Sequence, residues 1–371
     1  MKPRVLHCIH SLDGGGAERQ LSLLCQDSSE FHLKNVTFYI DGGDDAQSTN
    51  RKLVKYNRES KWRIGIFRAI ANTIDDVQPD VIHAWLPPAI TIPALIVGWW
   101  KKVPVIVSYR NAKRSRVLAS VLEYMFSGMF ASSIASNTNT EFCSLPYRWL
   151  FWWKSGVLIR NGVSTPLHQA QPDDRKFFKS GKLSLLFAGR LTRQKNWKCL
   201  LDALEIVGDE ISWSLSVCGK GEDEKQFKEY IISKNLGRKV KMLGYTSDLY
   251  AIMADSDLLV LPSWYEGMPN VLVESLAIGL PCVLSDIPQH KDIVGSAVPE
   301  IFFPPDNPDV LAEKLIELCR NPALMKEMAI RGKSIAKNYN VEKMICRYAE
   351  FYKRVGKLVC SNLIVSFKSP I

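Results

Sequence analysis

The chain has 371 residues, of which 46% are hydrophobic and 23% charged; these values are typical of a globular protein and exclude a disordered or fibrous chain. This length exceeds what a single hydrophobic core usually supports, so we expect two domains. The formal net charge is +10, and nine cysteines occur without any Cys-x-x-Cys pair, which predicts reduced thiols in a cytosolic protein rather than a disulfide framework.

The positive charge is concentrated in one segment. Residues 1–80 contain 11 basic and 11 acidic residues, whereas residues 81–165 contain nine basic residues and only two acidic ones, Glu123 and Glu141. A basic excess confined to one segment predicts an anionic partner. Membrane headgroups, a pyrophosphate lipid and nucleic acid all remain open at this point.

The first predicted strand, residues 4–10, leads directly into a turn, so we expect no signal peptide. Gly14, Gly15 and Gly16 follow, before a helical pattern. Consecutive glycines between a first strand and a first helix let a phosphate approach the backbone, although a flexible turn would explain them as well. The run is not G-x-G-x-x-G, so it does not indicate a dinucleotide-binding fold.

The remainder of the first half alternates between predicted strands and helices. We expect strands over 35–39, 80–85, 103–109, 132–136 and 157–163, helices over 63–77, 86–100 and 117–130, and a polar loop over 41–63. The apolar segment 86–100 is short for a membrane span and contains three prolines, so it predicts a buried core helix.

An aromatic cluster bracketed by cations lies at Arg148–Lys154 and includes Trp152 and Trp153. This composition is typical of a bilayer interface, and equally of a partly buried helix face. Together with the basic segment, it leads us to hypothesise that the first half docks on a membrane that carries a lipid-linked acceptor.

The second half begins with a strand over 183–189, followed by Arg190 and Lys195. Two cations separated by a short polar loop at the end of a strand suit a diphosphate, although a solvated turn is the alternative. Further elements alternate along the chain. We expect helices over 197–207, 270–278, 310–319, 323–337 and 341–358, with shorter helices ending at 254 and 294, and strands over 212–218, 239–243, 258–261 and 300–303.

The stretch 260–283 carries two acids around a strand, a loop and a helix. Glu266 lies in the loop, and Glu274 lies on a helix that is otherwise apolar and therefore buried. A buried carboxylate needs a partner, either a ligand or a cation of the same domain. Pro269 suits the first turn of the helix, whose N–H groups can hold an anion. The stretch therefore predicts a site for a molecule with both hydroxyls and phosphate.

Asp255 and Asp257 form a D-x-D pattern that is found in some metal sites. They precede a strand, whereas the other site residues follow strands, so we expect them at the opposite edge of the sheet. We therefore predict that the protein uses no catalytic metal and no cofactor.

Four short motifs together resemble the retaining glycosyltransferases of family 4. They are Gly-Gly-Ala-Glu at 15–18, Asn-Gly-Val at 161–163, Gly-Arg-Leu-x-x-x-Lys at 189–195, and two glutamates eight positions apart at 266 and 274. The resemblance implies an α/β protein of GT-B architecture, in which two Rossmann-like doubly wound domains face each other across a cleft. It places an acceptor-binding domain at 1–165, a nucleotide-sugar-binding domain at 166–345, and a helix and tail at 346–371 that cross back onto the first domain.

The resemblance also implies roles for individual residues. Arg190 and Lys195 would hold the donor diphosphate, Glu274 the ribose, and Glu266 the donor sugar, while His83 and Arg110 would reach in from the first domain. The leaving phosphate would take the proton of the acceptor. The predicted donor site comprises Gly15, Gly16, Arg190, Lys195, Gly219, Tyr245, Glu266, Gly267, Met268, Pro269, Asn270, Val271, Leu272 and Glu274.

The resemblance predicts an enzyme that moves a sugar from a UDP- or GDP-linked donor to a lipid-linked glycan, with retention, in O-antigen, capsule or lipopolysaccharide biosynthesis at the cytoplasmic face of the inner membrane. Same-fold alternatives are a nucleotide-sugar 2-epimerase, which needs no acceptor, and a phosphorylase, which needs pyridoxal phosphate and a longer chain. A basic nucleic-acid-binding protein would need neither the acids nor the cation pair, so we expect no nucleic-acid partner.

Overall fold

The computed structural model describes residues 3–12, 15–26, 34–39, 51–56, 65–85, 88–110, 117–139, 156–164, 175–178, 181–246, 248–295 and 301–360. The chain forms two compact units, one of residues 1–162 and 341–371 and the other of residues 163–340. The sequence predicted divisions after residues 165 and 345, a few residues beyond those of the compact units. The binding roles predicted for the two domains stay predictions.

The first unit contains a seven-stranded parallel sheet of order β3-β2-β1-β4-β5-β6-β7. Its strands are β1 (Arg4–Ile9), β2 (Lys34–Tyr39), β3 (Arg51–Lys55), β4 (Val81–Trp85), β5 (Val105–Tyr109), β6 (Ser133–Ser136) and β7 (Gly156–Leu158). Helices α1 (Gly16–Gln26), α2 (Gly65–Val77), α3 (Pro88–Trp100) and α4 (Val117–Phe130) connect them. The central strands are buried along their whole length, because helices cover both faces of a parallel sheet.

The second unit contains a six-stranded parallel sheet of order β10-β9-β8-β11-β12-β13. Its strands are β8 (Leu183–Ala188), β9 (Trp213–Cys218), β10 (Val240–Gly244), β11 (Leu258–Leu261), β12 (Cys282–Ser285) and β13 (Phe302–Phe303). Its helices are α5 (Trp197–Val207), α6 (Glu224–Ser233), α7 (Leu249–Asp255), α8 (Asn270–Ala277), α9 (Pro288–Val294), α10 (Pro308–Arg320) and α11 (Pro322–Ala336). This unit has one continuous hydrophobic core.

The last helix, α12 (Val341–Cys360), belongs to the first unit although it follows the second unit in sequence. Its buried residues Tyr348 and Tyr352 join a core that also contains Val5, Trp85 and Ile106 from three strands. The predicted return of the last helix to the first domain is therefore confirmed. The helix begins at residue 341, as predicted, and the predicted domain boundary at 346 falls within it.

The sequence-based prediction of a polar loop over residues 41–63 is wrong for its middle part. Residues 51–55 form β3, which pairs with β2 at the edge of the first sheet. The sequence of β3, Arg-Lys-Leu-Val-Lys, contains three charges, which obscure the apolar signal of a strand but are common on sheet edges.

The prediction of a buried core helix holds only for part of α3. Ile90, Ala94 and Leu95 are fully buried, but Trp99 and Trp100 at the end of the helix are 65% and 66% exposed. No helix within the described part of the chain combines the length and the apolar content needed to cross a bilayer.

At the C-terminal edge of the second sheet, the backbones at the ends of three neighbouring strands are joined by hydrogen bonds. Gly189 donates a hydrogen bond to the Cys218 carbonyl at 2.9 Å, and Gly219 donates one to the Gly244 carbonyl at 2.7 Å. Gly219 has a φ of +140°, and a Cβ atom there would lie 1.9 Å from the Gly189 carbonyl oxygen. A side chain at Gly219 would therefore push apart the loops that follow β8 and β9.

We predict that Gly219→Ala lowers the free energy of unfolding by about 2–4 kcal/mol, because the new methyl group meets backbone that cannot rotate away and the φ angle is strained. Gly237→Ala is the matched control, since a Cβ atom there has no neighbour within 4 Å. Urea unfolding of both variants measures the difference. Equal stabilities of the two variants would contradict this close approach of the loops.

Candidate functional site

The loops that follow β8 and β11 carry a buried ion pair. Lys195 lies at the end of a single 3-10 turn, and its Nζ is 2.6 Å from Oε1 of Glu266. The two side chains are 14% and 6% exposed. Both residues follow strands of a parallel sheet, at the edge where open α/β sheets bind ligands. The sequence predicted both residues in the site but assigned them separate roles, and it did not predict that they pair.

Amide side chains hold the same loops together independently of the ion pair. Asn196, in the left-handed conformation at φ 49°, donates from Nδ2 to the carbonyl oxygens of Pro262 at 3.0 Å and Pro305 at 2.6 Å. Gln194 donates from Nε2 to the carbonyl oxygen of Tyr265 at 2.8 Å. Backbone carbonyls that would otherwise be buried without partners are thereby satisfied, and the positions of Lys195 and Glu266 are set by neutral contacts on both sides.

A chain of neutral groups lies behind Glu266. Ser263 donates from Oγ to Glu266 Oε1 at 2.7 Å, and Ser285 donates from Oγ to the carbonyl oxygen of Ser263 at 2.6 Å. His290 Nδ1 lies 2.9 Å from the carbonyl oxygen of Ser285, so Nδ1 carries the proton. Its Nε2 is buried and has no hydrogen-bond partner among the described residues. Sequence reasoning missed all three residues. The available signal was a serine near the end of each of two buried strands, since Ser285 is the last residue of β12 and Ser263 lies two residues after β11.

The charges of this group shift two pKa values. Burial alone would raise the pKa of Glu266, but Lys195, His290 and the hydrogen bonds from Lys195 and Ser263 outweigh it, so the pKa lies below the ordinary 4.5. Burial lowers the pKa of His290 from 6.5 to about 4, although the charge of Glu266 and the hydrogen bond to Ser285 act in the opposite direction. At neutral pH, Glu266 is therefore ionised and His290 is neutral.

We predict that His290 makes the protein less stable as the pH falls from 6.5 to 4. In that range the unfolded histidine binds a proton and the buried one does not, so the stabilising contribution is complete above pH 6.5 and is lost towards pH 4. The contribution is about 3 kcal/mol at neutral pH. His290→Gln should remove this part of the pH dependence, measured as the difference between wild-type and variant unfolding free energies at each pH.

His83 also titrates in this direction but is present in both proteins, so its effect cancels in the difference. Parallel stability curves of wild type and His290→Gln between pH 4 and 6.5 would show that His290 is not buried as a neutral group.

The other predicted donor-site residues of the second unit lie in the surrounding loops and in α8. Arg190 is exposed and forms no ion pair among the described residues. Glu274 is 3% exposed on α8, as its apolar neighbours predicted. Around them, Gly267, Met268, Pro269 and Leu272 are buried, Asn270 and Val271 are half-buried, Gly219 follows β9, and Tyr245 after β10 is 67% exposed. The ligand contacts predicted for these residues stay predictions.

The D-x-D pattern lies at the other edge of this sheet, before β11. The carboxylate of Asp257 accepts backbone N–H bonds from Phe178 at 2.9 Å and Ser184 at 2.7 Å, one on each oxygen. Asp257 therefore holds the backbone at the start of β8 and β11. The expectation that no metal is needed stays a prediction.

In the first unit, His83 lies within β4 and is completely buried. Its Nδ1 is 2.7 Å from the Tyr352 hydroxyl and its Nε2 is 2.6 Å from Ser108 Oγ. Burial, followed by the charges of His7 and Arg110, lowers its pKa well below 6.5. Both ring nitrogens are occupied, so this geometry does not support the prediction that His83 reaches a substrate.

Arg110, directly after β5, is held by neutral partners. It donates from Nη1 to Asn161 Oδ1 at 3.0 Å and from Nη2 to the Tyr348 hydroxyl at 2.6 Å, and its Cζ lies 4.2 Å from the centre of the Trp85 ring. No carboxylate pairs with it among the described residues. Sequence reasoning missed Tyr348, whose signal is a pair of tyrosines four residues apart on one face of α12.

Two other predicted features lie partly or wholly outside the described residues. Gly15 is half-buried and Gly16 begins α1, but Gly14 lies outside the described residues. The aromatic cluster Arg148–Lys154, with Trp152 and Trp153, also lies outside them.

Comparison with known proteins supports one class of function. Residues 170–335 match the family model "Glycosyl transferases group 1". The matched segment contains Arg190, Lys195, Glu266, Glu274 and His290, so the ion pair and the groups behind it lie within the part of the chain that resembles a glycosyltransferase domain.

Individual relatives are distant. The chain is 27% identical over 202 residues to an uncharacterized glycosyltransferase of Methanocaldococcus jannaschii, covering 54% of each chain. It is 25% identical over 181 residues to the UDP-Gal:alpha-D-GlcNAc-diphosphoundecaprenol alpha-1,3-galactosyltransferase of Escherichia coli, covering 47% of this chain and 46% of the relative. The chain thus spans about half the length of these curated relatives.

A solved structure extends the likeness to nearly the whole chain. Anabaena HepE, crystallised with UDP and glucose, is 18% identical and superimposes with a TM-score of 0.81 over 95% of this chain and 100% of its own. This likeness shows the fold, and it confirms the predicted GT-B class with two Rossmann-like parallel sheets.

Proposed function

We propose that this protein is a glycosyltransferase that uses a nucleoside-diphosphate sugar as donor. The observation that carries the proposal is the buried Lys195–Glu266 pair at the C-terminal edge of the second sheet. The pair consists of a cation and a carboxylate side by side, and a diphosphate bonded to a sugar offers a phosphate to the first and hydroxyls to the second. The match of residues 170–335 to a glycosyltransferase family and the likeness to a protein crystallised with UDP and glucose support the same function.

The proposed chemistry is stabilisation of the leaving diphosphate. When the glycosidic bond of the donor breaks, the bonding electrons leave with the phosphate oxygen and negative charge develops there. Lys195, Arg190 and the first N–H groups of α8 act on that charge in a partly buried site, where electrostatic stabilisation is strong. Glu266 accepts from the sugar hydroxyls and Glu274 from the ribose. The oxygen of the acceptor hydroxyl forms the new bond to the anomeric carbon, and its proton passes to the leaving phosphate, so no separate general base is required. Lys195 and Arg190 supply the positive charge, so no metal is required.

We further propose a UDP- or GDP-linked donor, transfer with retention, and a lipid-linked glycan acceptor in cell-surface polysaccharide assembly. The Escherichia coli relative, whose name specifies UDP-galactose and a diphosphoundecaprenol acceptor, supports this choice. The basic excess of residues 81–165 suits an acceptor that carries a pyrophosphate and lies at an anionic membrane.

Donor binding tests the proposal directly. In a thermal-shift screen of UDP- and GDP-sugars in buffer with EDTA, we expect one donor to raise the melting temperature. At a concentration of one hundred times its Kd, that donor adds about 2.7 kcal/mol to the free energy of unfolding. Arg190→Ala should weaken that binding about 10- to 100-fold, because it removes a charged contact to the diphosphate.

Arg193→Ala is the matched control, since Arg193 is exposed in the same loop and has the same charge. Equal losses for the two variants would assign the effect to general charge rather than to Arg190. A chain that no nucleotide sugar stabilises, with or without EDTA, would contradict the proposed function. Stabilisation only after manganese is added would contradict the proposal that no metal is needed.

Lys195 should act mainly on the chemical step. We predict that Lys195→Ala lowers turnover, measured as nucleotide release from the donor that the screen identifies, about 30- to 10³-fold, which corresponds to a barrier raised by roughly 2–4 kcal/mol. Lys198→Ala, an exposed lysine three positions further along the chain, is the control. Lys195→Ala leaves Glu266 buried without its cation, so circular dichroism must first show a folded protein. Unchanged turnover in a folded Lys195→Ala protein would exclude the proposed role.

A further inference from the structure

The first unit has one exposed apolar surface. Across the described residues of this unit, the large hydrophobic side chains that are strongly exposed all lie on α3 and α4. They are Trp99 (65%), Trp100 (66%), Leu122 (42%), Met125 (46%) and Met129 (67%), and we call them the Trp–Met surface. The corresponding side chains of the second unit are dispersed, since Ile206, Ile232 and Ile330 lie on three different helices and Tyr245 and Trp264 lie in two loops. Contiguous exposure of this kind marks an interaction site.

The five side chains form a continuous surface because α3 and α4 are neighbours. The Trp99 ring lies 5.6 Å from the ring of Phe130, which in turn lies 5.7 Å from the ring of Phe126. On α4, residues 122, 125 and 129 follow the three- and four-residue spacing of one helix face. Phe126 and Phe130 of the same helix are half-buried, and the ring contact between Phe130 and Trp99 connects α4 to the end of α3.

Positive charge borders the Trp–Met surface. Lys102 is exposed and forms no ion pair among the described residues, and Lys101 lies 5.0 Å from the centre of the Trp100 ring while it pairs with Asp75 at 2.6 Å. Over residues 88–110 and 117–139, which the structure describes, the only carboxylate is that of Glu123, which is buried. Tryptophan beside lysine suits the boundary between acyl chains and headgroups, where an indole ring and a cation both find favourable surroundings.

We propose that the Trp–Met surface docks on an anionic lipid bilayer, with Trp99 and Trp100 inserted at headgroup level and Lys102 against the lipid phosphates. The proposal extends the proposed function, because a lipid-linked acceptor has to be met at a membrane. It rests on α3 and α4 and is independent of the Arg148–Lys154 cluster. Lys101 is paired with Asp75, so the charge of this surface without a described ion pair is that of Lys102. An anionic bilayer complements this charge, whereas a second copy of the chain carries the same positive charge on its own surface, which disfavours it as the occupant.

The surface and the proposed donor site belong to different units. Helices α3 and α4 end at residues 100 and 130, immediately before β5 and β6 begin, so Trp99, Trp100 and Met129 are close to the N-terminal edge of the first sheet. Lys195 and Glu266 belong to the second unit. Substitutions in the surface can therefore be tested without altering residues of the proposed donor site.

Co-sedimentation with vesicles tests the proposal. We expect the full chain to bind vesicles of phosphatidylcholine mixed with phosphatidylglycerol, and to bind pure phosphatidylcholine vesicles much more weakly. Trp99→Ser with Trp100→Ser should lower the partition coefficient at least about tenfold, since insertion of even one large apolar side chain is worth that factor. Lys102→Glu should weaken binding most at low salt, because added salt screens the attraction of an exposed charge.

Ile232→Ser is the matched control, because Ile232 is 73% exposed on α6 of the second unit. It should bind vesicles as the wild type does. The donor thermal shift measured on each variant reports whether the fold and the nucleotide site remain intact, so a misfolded variant is recognised.

Several outcomes would overturn the proposal. They are no binding to either kind of vesicle, equal binding to both kinds, equal losses for the tryptophan and Ile232 variants, or a dimer in solution that the tryptophan variant dissociates. The donor thermal shift separates the two proposals. A chain that binds a nucleotide sugar but no vesicle refutes only the docking surface, whereas a chain that binds vesicles but no nucleotide sugar refutes only the proposed function.

Discussion

The buried ion pair between Lys195 and Glu266 is the interaction on which the proposed site depends. Two charges taken out of water are costly unless each has close partners, and here the pair is 2.6 Å long with a serine hydroxyl on the carboxylate. The lysine side chain is 14% exposed and that of the glutamate 6%. Under the proposed function, a donor phosphate would compete with Glu266 for Lys195, and phosphate binding would then be linked to the carboxylate beside it.

The groups behind the pair are neutral, and this has an electrostatic consequence. His290 is buried with a pKa of about 4, so it adds no positive charge near Lys195 at neutral pH. Its proton sits on Nδ1 because the Ser285 carbonyl can only accept. Ser263 and Ser285 connect it to the carboxylate through hydrogen bonds. Behind Glu266, therefore, the groups in direct contact with the pair add no further charge at neutral pH.

In the first unit, the partners of the cation Arg110 are neutral. Arg110 is held by an amide, a phenol and an indole ring, with no carboxylate among its described partners. The phenol belongs to α12, which follows the whole second unit in sequence. The positions of Arg110 and His83 therefore depend on α12, the last helix of the chain. On the outside of the same unit, α3 and α4 expose tryptophan and methionine side chains beside lysine, although α3 reads in sequence as an entirely buried helix.

The sequence alone determined the fold class and most of the elements, because apolar periodicity is a local property. Helix α5 and strand β11 have the predicted bounds, and α8 ends before Gly279, whose φ of +69° favours glycine. Strand β3 was missed because a short, charged edge strand has little periodicity. Spacing also singled out Arg190, Lys195 and Glu266 as residues of a site.

Only the tertiary structure decided which residues touch. The contact of Lys195 with Glu266 joins positions 71 residues apart, and that of Arg110 with Tyr348 joins positions 238 apart. Contacts of this kind depend on the order of strands in a sheet and on the return of the last helix. No local pattern encodes these features, because they result from how the elements pack once they have formed.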